Sequence, residues 1–99
     1  MDLDKAAGAL QKLGHPTRLC VFKMLATAGT QGVSVGELKE HIGIPASTLS
    51  HHLAELASVG LIKQRRDSRH LYCTVEQETF ALLLAFLQEA CHEHEHLDG

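Results

Sequence analysis

The most constraining stretch of the sequence is residues 34–60, where two short helical patterns are separated by only three residues. Ser34 and Glu37 have the spacing of a capping box, in which each side chain satisfies a backbone N–H at a helix start. Leucines recur at helical spacing through residues 46–59. Between the two patterns lies the short connection Gly43-Ile44-Pro45. The stretch therefore predicts two helices packed across a tight turn.

Helical patterns also flank this pair. Pro16 suits the first turn of a helix over residues 16–28, and another helix is predicted over residues 3–13. The predicted inner residues of these two helices are Leu3, Ala6, Ala7, Leu10 and Leu13, then Leu19, Phe22, Met24 and Leu25. A last helix runs from Gln77 to about Ala90 and is apolar on all sides, so it must be buried on all sides. Because 99 residues enclose little interior, we expect a homodimer that covers it.

A basic hairpin is predicted after the helix pair. Residues 61–66 and 69–74 favour strands on either side of a turn at Asp67-Ser68. Its basic side chains are Lys63, Arg65, Arg66 and Arg69. Two helices across a tight turn followed by a basic hairpin is the order of a winged helix-turn-helix. The predicted fold is mainly α, with five helices and a two-stranded β wing. It forms a single domain over residues 1–99, with residues 92–99 as a frayed tail.

The charge is distributed unevenly along the chain. The net charge is −3, yet residues 75–99 hold six acidic and no Lys or Arg side chains. Residues 1–74 therefore carry nine basic against six acidic side chains. A compact basic hairpin beside an acidic C-terminal region fits an electrostatic contact with double-stranded DNA better than the mean charge suggests.

Composition argues against several other classes of protein. The longest apolar run is eight residues, against the roughly 20 needed to cross a bilayer. The first residues are acidic where a secretory segment would be basic, so we expect a cytoplasmic protein without a membrane partner. Three irregularly spaced cysteines predict no disulfide framework. An enzyme is not expected, because no oxyanion loop or phosphate cradle fits into five short elements.

The outer face of the second helix of the pair has the chemistry for reading DNA. Its small polar side chains let the backbone approach base edges, and hydroxyls or an imidazole can hydrogen-bond there; they include Ser47, Thr48, Ser50 and His51. Arg65, Arg66 and Arg69 can reach phosphates. His52 points to the flank and is interpreted as a packing or phosphate-contacting residue. The alternative is that the serines only cap and solvate the helix and that the arginines form a solvated turn.

Three segments resemble the ArsR (arsenical resistance operon repressor) family: LGHPTRLCVFKML, VSVGELKEHIGIPASTLSHHLAELASVGLI and RRDSRHLYCTV. The resemblance covers residues 9–87. It implies a homodimer formed through the first and last helices, repression without ligand, and release of DNA when an inducer binds. By position, it implies that the recognition-helix contacts are Ala46, Ser47, Thr48, Ser50 and His51, and that the wing contacts lie in residues 66–70. A two-fold dimer predicts an inverted-repeat operator with half-sites roughly 34 Å apart.

Inducer sites differ within this family, and two of its patterns are altered here. Arsenic and lead sensors carry Cys-x-Cys at the start of the third helix, where this chain has Ser34-Val35-Gly36. The positions that bind zinc or nickel in similar sensors are here Glu76, Glu78, Glu89 and His92. Three carboxylates and one imidazole form a harder, weaker zinc site than the family pattern.

A third candidate lies in the C-terminal segment ACHEHEH. On a continued helix, Cys91, His92 and His96 project within one sector, and thiolate plus imidazole suits a transition metal or trivalent arsenic as inducer. Some family members that sense arsenite carry cysteines here, commonly paired, whereas His92 follows Cys91. The alternative interpretation is a polar tail that binds nothing.

Two further cysteines are interpreted first as buried apolar residues, Cys20 and Cys73. A redox-responsive repressor that pairs Cys20 with Cys91 is an alternative, since some relatives use a thiol pair on the second and last helices. Those relatives place the first thiol three residues further along, where Lys23 stands. The remaining alternative is a constitutive winged-helix DNA-binding protein without any ligand.

Overall fold

A computed structural model describes the backbone of residues 1–98 and the side chains of residues 1–89. Within residues 1–98 the chain forms five α-helices, a short 3-10 turn at Gly29–Gln31 and three β-strands. The helices are α1 (Leu3–Leu13), α2 (Pro16–Ala28), α3 (Val35–Ile42), α4 (Ala46–Ser58) and α5 (Gln77–Asp98). The strands are β1 (Val33–Ser34), β2 (Ile62–Asp67) and β3 (His70–Val75). The predicted order of helices and hairpin is confirmed.

The start and end of α3 follow the predicted chemistry. The Glu37 backbone N–H donates to Ser34 Oγ at 3.1 Å, and the Ser34 N–H donates to Glu37 Oε1 at 3.5 Å, so the capping box is present. Gly43 ends the helix with a φ of 75°, in the left-handed region that glycine adopts at low cost. The turn to α4 is therefore fixed by residues at both ends of α3.

The sheet differs from the predicted two-stranded wing. Its order is β1-β3-β2, and all neighbours are antiparallel. Strand β1 pairs Val33 with Cys73, and two residues are too few to produce a strand pattern in the sequence. Gly32 allows the pairing, because a Cβ at this position would lie 2.6 Å from the Cys73 carbonyl oxygen. Two glycine hydrogens are the largest substituents that fit there.

The wing turn lies one residue later than predicted. Asp67 pairs with His70, so Ser68 and Arg69 form the two-residue turn instead of Asp67-Ser68. Ser68 has a φ of 59°, a conformation in which glycine, asparagine or aspartate is usual. The serine gives little turn signal, which explains why the sequence placed the turn incorrectly.

The core lies between α2, α3, α4 and the inner face of the sheet. Leu83 of α5 joins it, and the Phe22 and Phe80 rings contact each other with centroids 5.0 Å apart. The fully buried large side chains in the described part of the chain are Val21, Leu25, Leu38, Leu49, Leu53, Leu56, Leu61, Cys73 and Leu83. Close packing of these residues fixes α4 and the wing relative to each other. The predicted burial of Cys73 is confirmed.

Several predicted inner residues lie on the surface. Helix α1 buries Ala6 and Ala9, while Leu3 and Leu10 are exposed. Helix α2 exposes Leu19 and Cys20, so the interpretation of Cys20 as a buried apolar residue was wrong. These helices carry apolar side chains on more than one side, and helical spacing alone does not say which side meets the core. None of the helices in the described part of the chain combines the length and apolarity required to cross a membrane.

Candidate nucleic-acid interface

Helix α4 has one buried face and one exposed polar face. Leu49, Leu53 and Leu56 are almost completely buried and anchor the helix. The five residues proposed as recognition contacts are all exposed: Ala46, Ser47, Thr48, Ser50 and His51. They occupy the first two turns, where the recognition helix of a helix-turn-helix contacts base edges. The structure therefore brings the predicted recognition residues together on one accessible surface.

The exposed face of α4 has no side chain longer than an imidazole over these turns. Pro45 is the N-cap of the helix and makes no side-chain capping hydrogen bond. The first backbone N–H groups of α4 consequently remain available to an acceptor. Small side chains and free N–H groups permit close approach to phosphates and base edges.

His52 lies behind this surface and is 7% exposed. Its Nδ1 accepts a 3.0 Å hydrogen bond from Arg18 Nε, and the His15 ring centroid lies 4.6 Å from its own. Burial lowers the pKa of His52, and the positive fields of His15, Arg18 and His51 lower it further. Of the two roles that the sequence left open for His52, packing or phosphate contact, this buried position favours packing.

The contacts of His52 continue into α1. Arg18 Nη1 donates to the Lys12 carbonyl oxygen at 3.3 Å, and the Lys12 ammonium forms an ion pair with Glu55 of α4. The hydrogen bond and charge of Lys12 lower the pKa of the Glu55 carboxyl. We call Lys12, His15, Arg18, His52 and Glu55 the His52 cluster. It joins α1, α2 and α4 behind the exposed polar face of α4.

The three wing arginines are exposed but have different surroundings. Arg65 faces Tyr72 across the hairpin, with its guanidinium carbon 5.2 Å from the ring centroid. Arg66 pairs with Leu71 and points to the opposite face of the hairpin, while Arg69 lies in the turn. Stacking on an aromatic ring restrains a guanidinium without removing its charge. Arg66 and Arg69 are exposed, and only Arg65 among the three stacks on this ring.

Two contributors were missed by sequence reasoning. Arg18 lies four and seven residues before buried Phe22 and Leu25, on the inner side of α2. A charged side chain at that spacing indicates a buried polar partner for Arg18, and this was the signal available in the sequence. Tyr72 had no such signal. Its place opposite Arg65 depends on the register of the hairpin, which the incorrectly placed turn would have shifted.

The metal and redox candidates are only partly described. Cys91, His92 and His96, and the predicted tail over residues 92–99, fall outside the side chains that the structure describes. Residues 1–89 contain no group of three His, Cys, Asp or Glu side chains placed to hold a metal ion.

The carboxylates of the alternative metal site lie apart within one protomer. Glu76 Oε2 lies 3.7 Å from Lys63 Nζ. Glu78 and Glu89 are exposed, and their positions are about 16 Å apart along α5. The alternative site of Glu76, Glu78, Glu89 and His92 would therefore need two subunits. For the redox pair, only the exposed Cys20 is described.

Comparison with known sequences agrees with this geometry. Residues 13–65 match the model of the family described as a helix-turn-helix domain. The HTH-type transcriptional regulator YgaV of Escherichia coli is 35% identical over 85 residues, which cover 86% of this chain and 84% of that protein. The biofilm growth-associated repressor of Xylella fastidiosa is 34% identical over 82 residues, covering 82% and 68%.

Solved structures give the same result. A crystal structure of an ArsR family transcriptional regulator superposes with a TM-score of 0.81 at 25% identity, over 96% of this chain and 95% of that one. The solution structure of a homodimeric winged helix-turn-helix DNA-binding domain from Mycobacterium bovis, a possible ArsR-family regulator, has a TM-score of 0.70 at 31% identity. It covers 93% and 82% of the two chains. The sequence matches and these superpositions agree, and the chain belongs to the ArsR family of winged helix-turn-helix transcriptional regulators.

Proposed function

We propose that the protein is a transcriptional repressor that binds an inverted-repeat operator as a homodimer. The observation that carries this proposal is the exposed small polar face of α4, supported from behind by Leu49, Leu53 and Leu56. A rigidly held helix with short side chains is suited to the major groove. The name of the X. fastidiosa relative supports repression as the outcome. The proposed DNA partner supports a cytoplasmic location.

The homodimer is supported by an apolar surface on α1 and α5. Leu3 of α1 is 70% exposed, and Leu82 and Leu84 of α5 are 47% and 44% exposed. Uncovered leucines at this density are typical of an interface and costly in water. The M. bovis relative is homodimeric, which supports the same assembly here. The first and last helices then form the dimer interface.

The proposed contacts divide between the two elements. Residues of α4 supply contacts to base edges; they are Ala46, Ser47, Thr48, Ser50 and His51. The wing supplies phosphate contacts from Arg65, Arg66 and Arg69, which add affinity with little sequence information. A two-fold dimer presents both α4 helices to half-sites roughly one DNA turn apart.

The test begins with selection of a preferred duplex by the protein from a randomised library. Fluorescence anisotropy then compares the selected duplex with a scrambled one. His51→Ala should weaken binding to the selected duplex by about 1–3 kcal/mol and leave the scrambled one nearly unchanged. His41→Ala, an exposed histidine on α3, is the matched control. Equal affinity of the wild-type protein for both duplexes would refute the proposal.

The proposed inducer is a transition metal or trivalent arsenic bound by Cys91, His92 and His96. Thiolate and imidazole donors suit these ions. Titration of the protein–duplex complex with Zn²⁺, Cu⁺ and arsenite should reveal one that weakens DNA binding by about 1–3 kcal/mol. The Cys91→Ser variant should lose that response. No response to any of these ions rejects the metal proposal.

A second candidate, redox induction, is favoured by the exposure of Cys20. It predicts release of DNA by a persulfide donor or oxidant. The release should be lost in both Cys20→Ser and Cys91→Ser. Release that survives either substitution excludes this pairing. A protein that responds to neither ions nor oxidants is a constitutive DNA-binding protein.

A further inference from the structure

The His52 cluster is a polar feature, with buried His52 at its centre, that the proposed contacts with DNA leave unused. Three of its members come from different helices and meet where α1, α2 and α4 converge: Lys12, Arg18 and His52. His52 is adjacent to His51, and two positions after Ser50, on the helix that carries the recognition surface. The polar contact therefore adds a directional link between α2 and the second turn of α4, beside the leucines that anchor the helix.

The hydrogen bond from Arg18 requires one protonation state of His52. A guanidinium has only donors, so His52 Nδ1 must present its lone pair. The imidazole is therefore neutral and carries its proton on Nε2. A proton on Nδ1 would remove the acceptor and place a second positive charge beside Arg18. The contact exists only while His52 is uncharged.

We infer that His52, held by Arg18, is a positioning residue for operator recognition. The hydrogen bond between them fixes the orientation of α4, and protonation of His52 breaks that bond. This inference rests on the proposed function. Neither side chain touches DNA in this scheme. Their effect is on the placement of Ser50 and His51, so discrimination between duplexes depends on the contact more than general affinity does.

The same contact connects α4 to the proposed dimer helix. Arg18 also donates to the Lys12 carbonyl oxygen, and the Lys12 side chain pairs with Glu55 of α4. A displacement of α1 at the dimer interface therefore acts on α4 through two contacts at once. Through the His52 cluster, the position of α4 depends directly on α1, which the partner subunit covers in the proposed dimer.

The pH dependence follows from the groups that face His52. These are His15 and Arg18 from the start of α2, and His51 from α4, with the Lys12–Glu55 pair alongside. Burial and the three positive neighbours lower the pKa of His52 from its usual value near 6.5. A lowered histidine pKa means that the contact is complete above pH 6.5 and is lost as pH falls through the folded-state pKa.

The experiment uses the full chain and the duplex that it selects. The measured quantity is the ratio of the dissociation constants for scrambled and selected duplex, between about pH 8 and about pH 5. A ratio removes the general gain in affinity that protonated histidines give to any DNA. For the wild-type protein it should be constant at the upper end and fall about tenfold at the lower end, as expected for loss of a hydrogen bond to a charged group.

Two substitutions of His52 separate its roles. His52→Asn should keep the wild-type ratio at neutral pH, because its amide oxygen is attached to Cγ as Nδ1 is and can accept from Arg18. It should also remove the fall on acidification, because an amide does not titrate. His52→Ala should lower the ratio about tenfold at every pH. His41→Asn, on α3 outside the cluster, should reproduce the wild-type pH profile. Nitrogen-15 spectra of the wild-type protein should show His52 protonated on Nε2 alone at neutral pH.

The outcomes distinguish this inference from the proposed function. A wild-type protein with no preference for the selected duplex refutes the function itself. A wild-type preference that His52→Ala retains, or a fall with pH that His52→Asn also shows, overturns only the inference. A His52 proton on Nδ1 at neutral pH overturns it as well. If His52→Ala does not fold, the wild-type spectrum and the pH profile of His52→Asn still test the inference.

Discussion

Ser34 belongs to two elements at once. Its backbone pairs with Tyr72 in the sheet, and its hydroxyl accepts from Glu37 N–H at the start of α3. The residue is 8% exposed, so water cannot easily replace the cap when the hydroxyl is removed. Ser34 thus links β1 to α3, through its backbone on one side and its hydroxyl on the other.

Ser34→Ala should lower the free energy of unfolding by about 1–2 kcal/mol, because it removes the Oγ that accepts from Glu37 N–H and donates to Glu37 Oε1. Urea denaturation followed by circular dichroism measures the change. Ser58→Ala is the control, since that exposed hydroxyl donates only to the Glu55 carbonyl of its own helix. The control should change stability by less than about 0.5 kcal/mol. Equal losses for both serines would contradict the assigned role.

The thiols of Cys20 and Cys73 should differ sharply in reactivity. Cys20 is exposed, whereas burial raises the pKa of Cys73 and keeps it protonated at neutral pH. Iodoacetamide in native buffer should therefore label Cys20 within minutes and Cys73 only after unfolding, as read by peptide mass spectrometry. Labelling of Cys73 at the rate of Cys20 would contradict its burial.

At the scale of elements, the sequence predicted what is encoded locally. The capping box and the leucine spacing of α4 involve residues within two turns of each other, and both were confirmed. Strand β1 was missed because its two residues are ordered by pairing with Cys73, far along the chain. The wing turn was predicted one residue too early because Ser68 adopts a positive φ, which serine rarely does.

The wing predicts a measurable salt effect. Arg66→Ala should weaken binding to selected and scrambled duplexes alike and reduce the slope of log K against log salt by about 1, since one phosphate contact is lost. Anisotropy titrations between about 50 mM and about 200 mM salt measure this slope. Lys23→Ala, an exposed lysine on α2, is the matched control and should leave the slope unchanged. A normal slope for Arg66→Ala would exclude the phosphate contact.

At the scale of the whole molecule, the apolar character of α5 predicted correctly that this helix has an exposed apolar side. The sequence predicted that one domain could not bury α5 on all sides, and the structure leaves Leu82, Leu84 and Leu87 exposed. The placement of α1 was less predictable. Alanines at positions 6 and 9 allow α1 to pack closely on its own domain, which turns Leu3 and Leu10 outward, and helical spacing did not distinguish these two faces.

Leu82→Asp should dissociate the proposed dimer, because a charge in an apolar interface must be desolvated without a partner. Analytical ultracentrifugation should show a monomer, and operator binding should fall at least about tenfold because two half-sites are no longer bound together. Thr30→Asp adds the same charge on an exposed turn outside α1 and α5 and should remain dimeric. A dimeric Leu82→Asp protein would place the interface elsewhere.

Strand β1 runs directly into α3, so no loop residue lies between Gly32 and Glu37 to absorb a change in chain length. Deleting or inserting one residue there would turn the strand over, carry Ser34 away from its cap and bring a side chain against the Cys73 carbonyl. The two-residue turn at Ser68 and Arg69 is exposed and closes only a hairpin. Changes in chain length are therefore tolerated at the tip of the wing, while the junction behind it admits one length only.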